Sequence, residues 1–244
     1  MKRKWIRWVS WILLTPIILF VILMVLLYVP PVQNLLRREV TAYASKATGM
    51  QIQVERIDLR FPLNLLVRGV EVIQQPDTLL SLESLNVRVQ AWPLIKGKVE
   101  VDEVTLSRVA VNSADLMEGM KIKGVLGRFF LQSHGVDLSN ELAVINQVEL
   151  SDTHMQLLMN DTTTTPKDTT ASAPINWKVA LHQLKLKNVS FSMQLPADSM
   201  RMTAHIGEAA INNAQADLKN QYYDLKKFLL SGTSASYDLS LIHI

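Results

Sequence analysis

Residues 99–111, VEVDEVTLSRVAV, carry the pattern that most constrains the fold. Apolar side chains occur there in pairs spaced by two, and an extra residue separates each pair from the next. A spacing of two is typical of a strand with one apolar face. Because a flat strand would turn every second pair to the other face, the pattern predicts a β-bulge or a corner at each extra residue. The apolar positions are Val99, Val101, Val104, Leu106, Val109 and Val111.

The same frame recurs along the chain. Residues 179–191, VALHQLKLKNVSF, reproduce all the apolar positions, and partial copies begin at Ile52, Leu82, Val148 and Tyr223. One copy would fit any antiparallel sheet with a single buried face. The repeated slip instead predicts a long, curved, one-sided antiparallel sheet whose apolar side forms an open groove, and the irregular spacing argues against a strict solenoid. The predicted groove residues are Val101, Val104, Leu106, Val109, Val148, Leu150, Leu181, Leu184, Leu186, Val189 and Phe191.

Residues 9–29, VSWILLTPIILFVILMVLLYV, contain no charged side chain. As a helix this segment would span roughly 30 Å, the thickness of a bilayer hydrocarbon core. A cleaved signal peptide is the competing interpretation, but no small-x-small site follows the segment, and Pro30 and Pro31 come next. We therefore expect a retained transmembrane anchor. Its predicted membrane-facing residues are Trp8, Trp11, Leu13, Ile17, Phe20, Leu23, Leu27 and Tyr28.

Charge sets the expected orientation of this anchor. The four basic residues before it outweigh the more dispersed ones after it, so the positive-inside rule places the N-terminus in the cytoplasm and the body in the periplasm. The formal net charge of the chain is +3. Since the segment before the anchor supplies those four charges, the body is close to neutral and lacks the basic face of a nucleic-acid-binding protein. The basic residues concerned are Lys2, Arg3, Lys4 and Arg7, against Arg37, Arg38 and Lys46.

Residues 30–49 show helical spacing of apolar side chains. Pro31 suits the first helical turn and Gly49 suits the end. Such a helix could lie on the membrane surface, cap the open edge of the sheet or act as a stiff spacer. We favour the cap, because an exposed strand edge needs covering and this helix leads directly into the strand unit at Ile52.

Residues 50–238 are predicted to be strands without a further helix. Turn residues occur at Gln75-Pro76-Asp77, Gly97, Gly119 and His134-Gly135. Between residues 215 and 229 a helix face would also fit, but the repeated frame favours a strand. The predicted strands are 50–61, 65–74, 79–91, 98–112, 120–132, 136–150, 153–159, 176–194, 200–218 and 221–238.

Two segments stand apart from this pattern. Residues 160–174, NDTTTTPKDTTASAP, lack large apolar side chains and predict a mobile loop, from which deletion of Asp161–Thr170 should leave folding intact. Residues 239–244, LSLIHI, match the translation of a transposase adapter used in sequencing libraries. We expect these six residues to be an artefact that follows a truncated chain.

Motifs for covalent chemistry are missing from the sequence. Cysteine is absent, the five histidines are scattered, and no nucleophile elbow, Walker loop or dinucleotide fingerprint occurs. Asp152-Thr153-His154 is the one cluster of chemical interest, and Asp and His are ordinary at a strand turn. The sequence therefore predicts a non-enzymatic protein without cofactor or metal.

Several segments, in order, resemble the N-terminus of the TamB and AsmA-like family of diderm bacteria, the inner-membrane part of a translocation and assembly module. The resemblance covers residues 1–112 and is nearest to the Bacteroidota type. It implies a long β-groove with an apolar interior (a β-taco), implicated in moving phospholipid between the two membranes and in outer-membrane protein assembly with a barrel partner. Its segments are the anchor, VPPVQNLL (29–36), ATGMQIQVERIDLRFPLNLLVRGVEV (47–72), QPDTLLSLESLNVRV (75–89) and LIKGKVEVDEVTLSRVAVN (94–112).

An uncovered apolar face needs a partner, because exposure to water costs roughly 25 cal/mol per Å². The face must close on itself, meet a protein or hold apolar cargo. The first hypothesis is a bridge-like phospholipid transfer protein anchored in the inner membrane and extending through the periplasm. The alternative is a scaffold of an outer-membrane protein assembly or secretion module that binds strands at its open edges. A closed sandwich serving as an interaction domain is a third possibility.

Overall fold

The computed structural model describes residues 28–95, 100–113, 119–137, 141–159, 176–196 and 199–239. This part of the chain is mainly β, with nine strands in one sheet, helix α1 (Pro30–Thr48) and a short helix α2 (Ala91–Ile95). The strands are β1 (Gln51–Arg60), β2 (Asn64–Gln74), β3 (Asp77–Val89), β4 (Val101–Asn112), β5 (Met120–Asp137), β6 (Leu142–Met159), β7 (Lys178–Leu195), β8 (Met200–Asp217) and β9 (Tyr222–Leu239).

The sheet follows chain order from β1 to β9 and is open, with β1 and β9 at its edges. Neighbouring strands are antiparallel except β6 and β7, which pair in parallel with Leu142 beside Lys178 and Leu158 beside Gln194. The prediction of a purely antiparallel sheet is therefore wrong, and the sheet is mixed. A short turn is enough to join antiparallel neighbours, whereas parallel neighbours need a longer connection, which here is residues 160–177.

Most predicted strands are confirmed, including the ambiguous region 215–229, where β8 and β9 flank a turn. The turn predicted at His134-Gly135 is wrong, because β5 continues through it and Gly135 pairs with Val144. Gly135 marks a register shift inside the strand, as glycine in strands often does. The predicted strands 136–150 and 153–159 are parts of β5 and β6. Helix α2 was missed, and Pro93 within it explains why a strand does not continue there.

Three sequence predictions fall on residues outside these ranges. They are the turn at Gly97, the mobile loop 160–174 and the anchor as far as residue 27. Of the six residues predicted to be an artefact, Leu239 is the last residue of β9 and pairs with Met200, and the others are outside the described ranges.

In every strand a position drops out of the pairing on a line that crosses the whole sheet, which we call the kink line. Strands β6 to β9 each have a second such position, at Asn146, His182, Asn213 and Lys226. On both sides of the kink line the register is the same, so the slip at residues 107–108 is not a bulge with two residues opposite one. The other slip of this frame, at residues 102–103, does show a register shift, because Arg88 pairs with Glu103 and Val89 with Val101. Instead, left-handed residues stand on the line, among them Arg108 with φ 46° and Asn188 with φ 53°. The kink line consists of Glu55, Gly69, Glu83, Arg108, Gly127, Asp152, Asn188, Gly207 and Gly232.

The left-handed residue explains the extra residue in the sequence frame. It adds one step to the alternation, so we infer that Leu106 and Val109, three residues apart, share a face. The two residues between them, Ser107 and Arg108, are both polar and belong to the other face. The same holds for Leu186 and Val189 around Asn188.

Substitutions at Asn188 test the importance of the kink line. Asn188→Val should lower the free energy of unfolding by about 1–3 kcal/mol more than Asn188→Gly, because a β-branched residue is strained at positive φ whereas glycine is not. Both variants lose the hydrogen bond that Asn188 Nδ2 donates to Asp152 Oδ1 at 2.7 Å, so their difference isolates the backbone effect. Urea denaturation measures it. Equal stability of the two variants would contradict a left-handed residue at this position.

Helix α1 lies along the outer edge of β1, with polar side chains bonded to the strand backbone. Gln33 Nε2 donates to the Leu59 carbonyl at 3.0 Å, and Arg37 Nη1 donates to the carbonyls of Val54 and Glu55, each at 3.2 Å. Ser45 Oγ accepts from the Ile52 backbone N–H at 3.1 Å. The unpaired groups of this edge strand are thus satisfied by helix side chains, which is the arrangement expected of an edge cap.

Candidate functional site

The candidate site is one face of the sheet, where apolar side chains line up across all nine strands. Strand register defines two rows on one side of the kink line. The first row is Leu59, Leu65, Val87, Val104, Leu131, Val148, Leu184, Ile211 and Phe228. The second row is Ile57, Val67, Leu85, Leu106, Phe129, Leu150, Leu186, Ala209 and Leu230.

Two further rows follow on the other side of the kink line, and we call the four rows together the apolar face. The residues of these two rows are all apolar except two threonines. The third row is Val54, Val70, Leu82, Val109, Leu126, Thr153, Val189, Ile206 and Thr233. The fourth row is Ile52, Val72, Leu80, Val111, Gly124, Met155, Phe191, Ala204 and Ala235.

The predicted groove residues fall into these rows with two exceptions. Leu181 lies in a shorter apolar row with Ile145, Ala214 and Leu225, and Val101 pairs with Val89 at the end of β4. All the predicted residues are half-buried. The register thus brings together side chains that lie far apart in the sequence. Of the predicted membrane-facing residues, only Tyr28 lies in the described ranges, and it is not part of this face.

Sequence reasoning missed the contributions of β2, β5 and β8 to the apolar face. Leu65 and Val67, Phe129 and Leu131, and Ala209 and Ile211 each show the spacing of two. In β5 the glycines at 124 and 127, and in β8 the alanines, weaken the hydrophobic signal of the frame. Spacing alone, without regard to side-chain size, would have found these strands.

The opposite face is mainly polar and carries ion pairs, although it also contains Leu66, Phe130 and Leu229. Arg88 Nη1 and Glu103 Oε2 lie 3.1 Å apart, and Arg56 Nε lies 2.7 Å from Asp58 Oδ1. The row that contains Thr105 and Lys185 lies between two apolar rows in every strand and so belongs to this face. The row next to the kink line consists of Arg56, Arg68, Ser84, Ser107, Arg128, Ser151, Lys187, Glu208 and Ser231.

Burial shows that the apolar face is not the core of a sandwich in the described part of the chain. The buried apolar residues there are few, and no large side chain is below 2% exposure. In the described part of the chain, the extensive contacts of each strand are with its neighbours in the sheet, and α1 contacts β1. The face is therefore half-covered by its own side chains and open above them. The buried apolar residues are Leu79, Leu82, Ala143, Leu195 and Ala209.

Strand β9 leaves the far edge of the sheet exposed. Phe228 is 59% exposed and Tyr237 is 62% exposed, and no described element pairs with the outer side of the strand. The two edges thus differ, because β1 is covered by α1.

Charged groups at the β8–β9 turn and on β9 are held by local partners. The Asn220 backbone N–H and its side-chain amide donate to Asp217 at 3.1 and 2.8 Å, which lowers the pKa of that carboxyl. The Asp224 carboxylate, 2.7 Å from Lys226 Nζ, raises the pKa of the lysine by hydrogen bonding and by its charge. Both groups are ionised at neutral pH, and the hydrogen bonds from Asn220 to Asp217 stabilise the β8–β9 turn.

The cluster Asp152-Thr153-His154 is divided between the faces. Thr153 is buried at 4% exposure in the third apolar row. Asp152 and His154 line an open depression of about 450 Å³ with Lys123 and Gln156 on the polar face. Among the described residues, no group of acidic and histidine side chains is arranged to hold a metal ion.

Of the predicted membrane anchor, only its last residues lie in the described part of the chain. Tyr28 Oη donates to the Pro62 carbonyl at 2.7 Å, so the residues before α1 contact the β1–β2 turn. Within the described ranges, no helix is both long and apolar enough to cross a bilayer.

No protein-family model matches this chain, and the search of curated proteins also found no match.

Proposed function

We propose that this chain is the membrane-proximal part of a bridge-like lipid transfer protein, anchored in the bacterial inner membrane and extending into the periplasm. Phospholipid acyl chains lie against the apolar face, which curves into an open groove, while head groups remain near water. The observation that carries the proposal is the continuity of the four apolar rows across nine strands, on which the described residues place no second layer. The resemblance of residues 1–112 to TamB and AsmA-like proteins supports it.

The dimensions of the rows suit this cargo. Strands lie about 4.8 Å apart, so a row across nine strands runs for about 38 Å from β1 to β9. One leaflet of a bilayer holds acyl chains of about 15 Å, half of the hydrocarbon core. Each row therefore offers more than one acyl-chain length of continuous apolar contact. Every CH₂ group removed from water stabilises the complex by about 0.8 kcal/mol.

The rows also define the axis of the proposed transport path. They run perpendicular to the strands, from the edge next to the predicted anchor to the open edge at β9. A lipid moving along a row passes from strand to strand without meeting a charged side chain. No bond is made or broken in this mechanism.

Photo-crosslinking groups placed on both faces test the proposal. Groups at Leu106 and Leu186, which share the second apolar row, are expected to capture phospholipid in cells. Matched groups at the next residues, Thr105 and Lys185, share a row of the polar face and are expected to capture none. Mass spectrometry of the crosslinked protein identifies the lipid. Equal capture from both faces, or none from Leu106 and Leu186 in a folded protein, would contradict the proposal.

A scaffold in outer-membrane protein assembly is the second candidate, and the exposed edge of β9 favours it. This edge offers a long row of backbone groups to an incoming strand, as in β-strand addition. A partner of the outer-membrane barrel type would then bind there. Purified full-length protein that carries a protein partner but no lipid would support this function over lipid transfer.

A further inference from the structure

The contact between α1 and β1 contains two buried polar atoms without a partner. They are Nε of Arg37 and Oγ1 of Thr41, one helical turn apart. A buried N–H of a charged group without an acceptor is strongly unfavourable, so native proteins rarely leave one unpaired. Both residues line the same depression of about 480 Å³, together with Arg38, Ala42, Ile52, Gln53 and Val54.

The guanidinium of Arg37 is held in a fixed orientation. Its Nη1 donates to the carbonyls of Val54 and Glu55, each at 3.2 Å, which ties one end of the group to the edge of β1. The Nε–H on its other side is left for a ligand. An arginine bound through Nε typically meets an anion that accepts side-on, such as a phosphate or a carboxylate.

Acidic side chains do not neutralise this site in the described part of the chain. Neither Arg37 nor Arg38 forms an ion pair there. The Glu55 carboxylate lies over Gly69 of β2, whereas α1 lies on the other side of β1. Two arginines and a threonine hydroxyl therefore face a depression with net positive charge.

We propose that this depression, the Arg37 site, binds the phosphate group of a membrane phospholipid. The lining favours a lipid over free phosphate, because Ala42, Ile52 and Val54 add apolar contacts beside the two arginines. Helix α1 also exposes Leu35 by 58%, Val40 by 51% and Tyr43 by 77%, side chains suited to a lipid interface. The choice of a lipid as the ligand rests on the proposed function, which puts α1 next to the membrane. The assignment of an anion site does not rest on that function.

Binding to the purified full-length protein in non-ionic detergent tests the proposal. The probes are dihexanoyl-phosphatidylglycerol, which is a short-chain phospholipid, and inorganic phosphate, each followed by calorimetry. We expect the lipid to bind and Arg37→Gln to weaken it about tenfold or more, since a hydrogen bond to a charged group contributes about 1.5–3 kcal/mol. Thr41→Val, which keeps the shape of the side chain, is expected to weaken binding by a few-fold.

Gln33→Ala is the matched control, because Gln33 also bonds to the β1 edge but does not line the depression. It should leave lipid binding unchanged. If Gln33→Ala weakens binding as much as Arg37→Gln, the effect comes from the edge cap and the site is refuted. Unchanged binding by Arg37→Gln also refutes it. If inorganic phosphate binds as tightly as the lipid, the ligand is free phosphate and the lipid assignment is overturned.

The outcome is independent of the crosslinking test of the apolar face. Loss of lipid capture at Leu106 and Leu186 with intact binding at the Arg37 site would overturn the transfer function alone. Intact capture with no binding at the Arg37 site would overturn only the present proposal.

Discussion

Deleting Asp161–Thr170 is expected to abolish the parallel pairing of β6 with β7. From its composition the segment looks dispensable, but the positions of its neighbours change that expectation. Met159 ends β6, while Lys178 lies beside Leu142 at the opposite end of the same strand. The chain between them must therefore return along the whole length of β6.

Chain length shows why the deletion matters. Strand β6 has 18 residues, and at about 3.3 Å per residue its two ends are about 55 Å apart along the strand. The natural connection, residues 160–177, reaches at most about 65 Å when fully extended. Without ten of these residues the reach falls to about 30 Å, which is too short for parallel pairing. Strands β7, β8 and β9 would then lose their place beside β6.

Disulfide crosslinking measures this effect. The chain has no natural cysteine, so cysteines introduced at Gln147 and Gln183, which pair in the parallel register, have no competing thiol. Strand neighbours lie within disulfide reach. We expect crosslinking in the otherwise unchanged protein and none after the deletion. Replacing the ten residues by a Gly-Ser segment of equal length should restore it, because length rather than sequence matters. Efficient crosslinking in the deletion variant would contradict the parallel arrangement.

Leu186→Asp is expected to remove bound phospholipid while leaving the protein folded. Leu186 is half-buried in the second apolar row, so the new carboxylate can reach water at the open side of the sheet. We expect a loss of less than about 2 kcal/mol in the free energy of unfolding, against several for a fully buried charge. A carboxylate beside acyl chains costs about 2.5 kcal/mol or more, which corresponds to a fall of roughly fifty-fold or greater in lipid affinity.

Two matched variants control this experiment, with urea denaturation and lipid mass spectrometry as the measurements. Lys185→Asp, on the polar face, should change neither stability nor bound lipid by much. Ala209→Asp, opposite Leu186 in the same row but only 5% exposed, should destabilise the protein more, because larger neighbouring side chains cover this small residue. If Leu186→Asp is as destabilising as Ala209→Asp, a second layer covers the row and the conduit mechanism is wrong.

Local spacing in the sequence was enough to predict the strands, because alternation along a strand depends only on the residue and its near neighbours. The slip at residues 107–108 likewise located a real interruption, and of the two forms predicted, a bulge or a corner, the register excludes the bulge there. A two-for-one bulge and a left-handed residue both shift alternation by one, and only the register distinguishes them. Asn188 and Asp152 are residue types that tolerate positive φ, whereas Arg108 is not, so residue type alone would not reveal the line.

Strand orientation and edge chemistry were harder to predict. Nothing in the pattern of β7 says whether it runs with or against β6, because alternation is the same in both directions. The length of the polar connection before β7 is the feature that bears on strand direction, because parallel pairing needs a long connection. The Arg37 site could not be predicted from the sequence, since the orientation of Arg37 depends on the β1 carbonyls that accept its hydrogen bonds.

In a flat sheet, the bend of the strands and the pairing of side chains depend on each other. The kink line makes them independent. In an ordinary sheet, changing the bend requires inserted residues, and each insertion alters which side chains are neighbours. Here the interrupted positions lie at the same level in every strand, and the residues on either side of them keep the same register. Substitutions at positions such as Gly69 and Gly232 can therefore alter the angle between the parts of the sheet on either side of the kink line, while each side chain keeps its neighbours. In the proposed groove, such substitutions would change its width without changing the side chains that line it.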